Sequence, residues 1–327
     1  MAQLQDPFGR HIHYLRLSVT DRCNLRCVYC MAEDMQFLPR KQILSLEELY
    51  EVGKAFVALG VNKIRLTGGE PLVRKDLPLL AEQLTGLDGL DELTLTTNGV
   101  LLPKQGAALY QAGIRRVNVS LDTLDQQQFA KMTRGDQLPQ VLSGLQTAKQ
   151  LGMQVKLNCV VLSGQNDDAV LQLTDYAVEN GFDITFIEEM PLGHISSHQR
   201  ADTVVFSQQV LDRLSTRYNL LSDTYTSGGP ARYHKLVDTD SRVGFISPHS
   251  NNFCGSCNRV RVTVEGQLLL CLGHDNAVDL RAVLRAPDYT NETLQQTIVD
   301  ALLRKPEKHE FKSEETHIVR FMNMTGG

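Results

Sequence analysis

Through the first two-thirds of the chain, short runs of alternating apolar and polar residues take turns with longer stretches of helical periodicity. Strand-like runs fall at 14–19, 63–67, 93–97, 117–121, 155–161 and 183–187. Helical patterns lie between them at 46–59, 77–84, 105–112, 138–151 and 169–180. The first helix opens on Ser45 with Glu48 three residues later, the arrangement of a capping box. Such alternation predicts an α/β chain with a parallel sheet and right-handed crossovers. Ligands would then bind beyond the C-terminal ends of the strands.

Within the strands the alternation is itself informative, because parallel strands buried on both faces usually read as continuous apolar runs. Here Arg16 and Ser18 alternate with Leu15, Leu17 and Val19, and Lys63, Arg65 and Thr67 alternate with Ile64 and Leu66. The same parity separates Thr94 and Thr96 from Leu93 and Leu95, Asn118 and Ser120 from Val117 and Val119, and Lys156 and Asn158 from Leu157 and Cys159. One face of the sheet is therefore apolar and meets the helices, while the other is polar. If the sheet curls into a partial barrel, Arg16, Lys63, Arg65 and Lys156 point inward and call for an anionic, phosphate-bearing ligand. If it stays open, the same face is merely solvated. Cys159 falls on the apolar side and is assigned no chemistry.

The length of 327 residues suits about two domains, and 42% hydrophobic with 22% charged residues provides an ordinary core without disulfide staples. A net charge of −5 gives no general attraction to nucleic acid or an anionic membrane. No apolar run approaches the roughly 18 residues of a membrane span, and the N-terminus lacks a signal-peptide layout, so a cytoplasmic location is the default expectation.

The cysteines sharpen the picture. Six of the seven fall into two triplets, Cys23, Cys27, Cys30 and Cys254, Cys257, Cys271. The first, C-x3-C-x2-C, lies in the loop after the first strand and has no fourth Cys or His nearby, unlike a structural zinc site. Three thiolates can hold a 4Fe–4S cube and leave one iron open to another ligand. Cys23-Asn24-Leu25-Arg26-Cys27-Val28-Tyr29-Cys30 resembles the radical S-adenosylmethionine (SAM) signature, and Gly68-Gly69-Glu70-Pro71 resembles the SAM-binding loop of that superfamily. Glycines there would let the backbone approach a ligand closely. The resemblance implies that the open iron binds SAM, and that a reduced cluster cleaves it to methionine and a 5′-deoxyadenosyl radical.

On its spacing alone, the second triplet, C-x2-C-x13-C, is compatible with zinc, since His274 stands three residues after Cys271. Arg259 and Arg261 alternate with Val260 and Val262 beside it, ahead of a Glu265-Gly266 turn. The alternation places both guanidinium groups on one side of a hairpin, and guanidinium suits phosphate.

Taken together, these segments resemble the GTP 3′,8-cyclase family of molybdenum cofactor biosynthesis along nearly the whole chain. Further matching segments are Thr96-Thr97-Asn98-Gly99, Asn118-Val119-Ser120-Leu121-Asp122, Phe186-Ile187-Glu188 with Met190, and the terminal Gly326-Gly327. The resemblance implies two 4Fe–4S clusters, on Cys23, Cys27 and Cys30 and on Cys254, Cys257 and Cys271. It places Tyr29, Gly69, Ser120 and Met190 on SAM. Arg16, Arg65, Thr96, Lys156, Arg259 and Arg261 would line the GTP site, with Arg16, Arg259 and Arg261 as the catalytic cations. The implied reaction is abstraction of the ribose 3′ hydrogen by the 5′-deoxyadenosyl radical and attack of the C3′ radical on C8 of guanine, after which a further electron and proton complete 3′,8-cyclo-7,8-dihydro-GTP. A reducing electron donor and a downstream cyclic pyranopterin monophosphate synthase are the implied partners, and a homodimer is compatible with the sequence.

The implied architecture is a partial, TIM-like (β/α)6 barrel over residues 10–190, followed at 191–327 by a smaller domain that carries the second cluster. The family's sixth strand commonly reads Arg-Phe-Ile-Glu, whereas this chain has Thr185-Phe186-Ile187-Glu188. The terminal Gly326-Gly327 would reach into the active site. Two competing readings are another radical SAM enzyme with an auxiliary cluster, acting for example on a peptide, and a non-catalytic zinc protein.

Overall fold

The computed structural model describes residues 4–193, 195, 198, 200–274, 276–309, 311 and 320–326. Its barrel strands are β1 (Tyr14–Ser18), β2 (Lys63–Thr67), β3 (Glu92–Thr97), β4 (Arg116–Ser120), β5 (Gln154–Val161) and β6 (Asp183–Glu188), paired in that order and all parallel. Between them run α1 (Leu46–Ala58), α2 (Leu77–Thr85), α3 (Leu102–Gln111), α4 (Gln126–Thr133), α5 (Leu138–Gln150) and α6 (Val170–Asn180). This is the parallel α/β arrangement that the alternation predicts, in the partial (β/α)6 form that the family resemblance implies. Ser45 and Glu48 form the expected capping box at α1, with Glu48 N donating to Ser45 Oγ at 3.1 Å and Ser45 N to Glu48 Oε2 at 2.7 Å.

The rest of the chain extends the same sheet at both edges. After β6 come β7 (Leu220–Asp223), β8 (Arg232–Leu236) and β9 (Arg242–Ile246); β9 lies parallel to β6, and β8 and β7 follow antiparallel. At the other edge β10 (Arg259–Val262) lies parallel to β1, followed by β11 (Gln267–Leu269) and β12 (Ala277–Asp279) in antiparallel order. The β10–β11 hairpin turns at Glu265-Gly266, where a φ of +84° at Gly266 suits a residue without Cβ.

Apolar strand positions such as Leu15, Leu17, Ile64, Leu66, Leu95, Val117, Leu157 and Cys159 are buried in one core against the helices. The opposite face is buried too: Lys63, Arg65, Thr67, Thr94, Asn118, Lys156 and Thr185 are all below a tenth exposed. That observation decides between the two readings of the polar face, which encloses a cavity instead of meeting bulk water. Among the described residues, no helix is long and apolar enough to cross a membrane.

Candidate functional site

The cavity is lined at one end by Cys23, Cys27 and Cys30, along its wall by Tyr29, Gly69, Ser120 and Met190, and further in by Arg16, Arg65, Thr96, Lys156, Arg259 and Arg261. Every SAM and GTP position expected from the sequence thus faces one space. Cys254, Cys257 and Cys271 are not among its lining residues, but Arg259, two residues after Cys257, is.

The cysteine loop is held by its neighbours. Gly69 N donates to Thr20 O at 2.9 Å and Glu70 N to Arg22 O at 2.8 Å. A Cβ on Gly69 would lie 2.6 Å from Arg22 O and 2.7 Å from Asp21 O, and one on Gly68 would collide with Thr20 O. These glycines are therefore required by the approach of two loops to each other, and both also line the cavity. Glu70 is fully buried and accepts from Leu72 N at 2.9 Å, Thr97 Oγ1 at 2.7 Å and Asn98 N at 2.6 Å. Burial raises its pKa to about 7 despite those donors. Asn98 in turn donates to Cys23 Sγ at 3.8 Å, so the loops after β1, β2 and β3 are locked together.

The first triplet has the donor chemistry of a metal centre. Burial pushes the Cys23 thiol up to about 11, and burial followed by Cys30 pushes Cys27 well above its usual range. Thiols in this position ionise when a metal takes the proton's place. Among the described residues no three His, Cys, Asp or Glu side chains gather at the spacing of a single metal ion; the grouping shows instead in the mutual influence of the thiols.

The cation wall follows from strand register. Arg16 lies directly between Arg261 on β10 and Arg65 on β2, and Tyr14 lies between Arg259 and Lys63. Like charges directly opposite one another destabilise a sheet. The strain shows in the side chains: burial, then Arg261, holds Arg16 well below its usual pKa, and burial, then Arg65, does the same to Lys156. Lys63 and Arg116 share Glu92, with the Arg116–Glu92 pair at 3.6 Å. On the same face, the buried Thr67 Oγ1, Thr94 Oγ1, Asn118 Oδ1 and Asn158 Oδ1 have no hydrogen-bond partner among the described residues. Stacked cations and orphaned polar atoms together fit a large, polar, anionic ligand.

Around the second triplet, His309 N donates to Cys254 Sγ at 3.3 Å and Lys305 Nζ to Cys257 Sγ at 3.8 Å. Burial opposes ionisation of Cys257, but Arg259 and Lys305 hold its pKa below the usual thiol value. Cys271 is raised by burial. His274 Nε2 lies 3.0 Å from Lys308 O.

Two family models match the chain: the Radical SAM superfamily over residues 17–177 and Molybdenum Cofactor Synthesis C over 182–311. A GTP 3′,8-cyclase of Ectopseudomonas mendocina is 58% identical over 327 residues, covering 99% of each chain. GTP 3′,8-cyclase 2 of Pseudomonas aeruginosa is 56% identical and covers 100% of this chain and 99% of its own. The chain belongs to the GTP 3′,8-cyclase family. Among solved structures, Streptococcus suis SuiB bound to S-adenosylmethionine shares the fold at a TM-score of 0.58, with 15% identity over 96% of this chain and 77% of that one.

Several features of this GTP 3′,8-cyclase family site went unnoticed in the sequence. Tyr14 shares the parity of Arg16, a signal that was available. Its hydroxyl accepts from Arg65 Nε, and Lys63 Nζ sits 5.3 Å from its ring centroid. Burial alone would raise its pKa, but Arg65, Arg16 and Lys63 bring it down to about 7. Ligand-free protein is therefore expected to show a tyrosinate absorbance that rises around pH 7 and is lost in Tyr14→Phe. The chain has nine tyrosines and no tryptophan, so the ultraviolet signal is readable; ordinary titration of every tyrosine near 10 would contradict it.

Thr185 pairs with Gly244 across β6 and β9, and Tyr233 fills the space above them: a Cβ on Gly244 would lie 2.9 Å from the Tyr233 ring. Lys156 Nζ donates to Tyr233 Oη at 3.2 Å, so the space beside Thr185 is filled by a tyrosine from β8. The tail also reaches the cavity. Gly326 O accepts from Arg16 Nε at 3.2 Å and from Arg261 Nη1 at 3.3 Å, while Gly327 lies outside the described residues. Gly326 has a φ of +70°, and a Cβ there would collide with Thr67 Oγ1. Gly326→Ala is expected to undock the turn Met322–Thr325 and speed its proteolysis, with little change in barrel unfolding. Unchanged digestion would show that the turn is held elsewhere.

Proposed function

We infer that the protein cyclises GTP to 3′,8-cyclo-7,8-dihydro-GTP by radical SAM chemistry, the first step of molybdenum cofactor biosynthesis. The observation that carries this reading is a single enclosed cavity with three thiols at one end and a row of arginines further in. Cys23, Cys27 and Cys30 would hold a 4Fe–4S cluster with one iron left for SAM. When bound, cluster and SAM supply a 5′-deoxyadenosyl radical to the ribose 3′ position of GTP.

The chain's own residues supply the rest. Tyr29, Gly69, Ser120 and Met190 seat SAM; Tyr29 is braced by its hydroxyl, which donates to Asp122 Oδ2 at 2.8 Å. Arg16, Arg65, Arg259 and Arg261 clamp the triphosphate, and Thr96 and Lys156 complete that wall. Fixing both ligands on one rigid sheet orients the ribose against SAM, and the buried wall keeps water from the reacting centre. Cys254, Cys257 and Cys271, in the segment 191–327, would hold a second cluster able to ligate the guanine, and Arg259, two residues after Cys257, lines the cavity. An external reductant supplies electrons, and a synthase acting on the product follows.

Anaerobic reconstitution is expected to load about eight iron atoms per chain, with broad visible absorption, and to yield a cyclised product from GTP but not from ATP. Stoichiometric zinc, or product formation from a peptide alone, would refute the reading.

A further inference from the structure

Lys305 follows the helix Asn291–Leu302 and is only 3% exposed. Its ammonium donates to the carbonyl of Leu270, to Arg259 O at 3.1 Å and to Cys257 Sγ at 3.8 Å. It thereby joins the residue before Cys271 to the strand after Cys257. Arg10 presents a contrast. It reaches the same region, donating to Cys254 O at 2.8 Å, and carries its own counter-ion in Asp6, with Nε 2.5 Å from Oδ2. Among the described residues Lys305 makes no ion pair with a carboxylate, and Asp6, already paired with Arg10, favours its charge less than Cys257 and Cys271 do.

A buried ammonium surrounded by carbonyls and neutral thiols is strongly disfavoured, because desolvation of a charge is offset only by an opposite charge nearby. Three ionised thiolates around an iron–sulfur cluster provide that charge. Hydrogen bonds and positive charge at cluster sulfurs are among the levers that set a reduction potential. We propose that Lys305 is a positioning residue of the second cluster whose buried ammonium compensates the Cys257 thiolate and raises the cluster's reduction potential. The proposal rests on reading Cys254, Cys257 and Cys271 as cluster ligands. Removing the positive charge makes the cluster harder to reduce, so its midpoint falls.

The test is a redox titration of the reconstituted full chain followed by electron paramagnetic resonance, with the first cluster as internal reference. Lys305→Met is expected to lower the equilibrium constant for reducing the second cluster by tenfold or more. That is a fall of at least about 59 mV for one electron. The first cluster's midpoint should not move, and Lys305→Arg should keep most of the original potential. If methionine prevents assembly, Lys305→Gln keeps a donor without the charge and should show the same fall. Two assembled clusters with an unmoved second midpoint would overturn the proposal alone. Iron for only one cluster in the unaltered chain would overturn the cluster reading, and the proposal with it.

Discussion

The Cys23→Ala chain is expected to fold, to bind GTP, and to form no detectable 5′-deoxyadenosine. Cys23 Sγ accepts from Leu25 N at 3.4 Å and from Asn98 Nδ2 at 3.8 Å, so its sulfur is one contact in a loop that many others hold. Deleting one sulfur atom from a half-buried position removes little packing, about 1 kcal/mol or less. The loop keeps its backbone bonds through Gly69 N and Glu70 N. Chemically the loss is complete, because two thiolates do not hold a cube with one site-differentiated iron. Thermal unfolding and SAM cleavage should therefore separate, the first barely changed and the second absent. Normal SAM cleavage in this variant would remove Cys23 from the cluster.

Arg261→Met is expected to weaken GTP use by roughly a hundredfold or more in kcat/KM without lowering the stability of the ligand-free chain. Arg261 is enclosed beside Arg259 and Arg16, and burial, then Arg259, lowers its pKa to about 10. Its folded-state pKa lies below its unfolded value, so the buried charge opposes folding across the neutral range, and that penalty is relieved only as pH rises above the folded pKa and the group loses its proton. Replacing it with an uncharged chain of similar reach relieves the row Arg261–Arg16–Arg65. The same substitution deprives a bound triphosphate of a charge-assisted donor, so the loss should appear mainly in KM if the contact is made equally in ground and transition states. SAM cleavage without GTP should be unaffected. A large drop in unfolding temperature with unchanged KM would mean that Arg261 serves the fold instead.

These two cases show what the sequence could carry. Period-two alternation in 63–67 or 117–121 reports both faces of a strand, so the apolar core and the cation wall were legible together. Cysteine spacing pointed to metal chemistry because ligand geometry constrains it locally. Partner choice was not legible. Nothing in Arg259–Val262 says that it lies parallel to β1, yet that register creates the arginine row. The helix Gln126–Thr133 escaped notice because its exposed turns are polar and only Phe129, Met132 and Thr133 are buried. The strand Leu220–Asp223 is a half-exposed edge with no clear alternation. Gly68 and Gly69 were legible as necessary, but their reason, contact with Thr20, Asp21 and Arg22, belongs to tertiary structure.

The central claim is that SAM and GTP meet in this cavity with the ribose 3′ hydrogen against the radical source. It is tested most directly by a single anaerobic turnover with GTP deuterated at C3′, followed by mass analysis of the 5′-deoxyadenosine. Deuterium in the 5′-deoxyadenosine, formed together with cyclised nucleotide, is the expected result. Unlabelled 5′-deoxyadenosine, made equally with and without GTP, would contradict it.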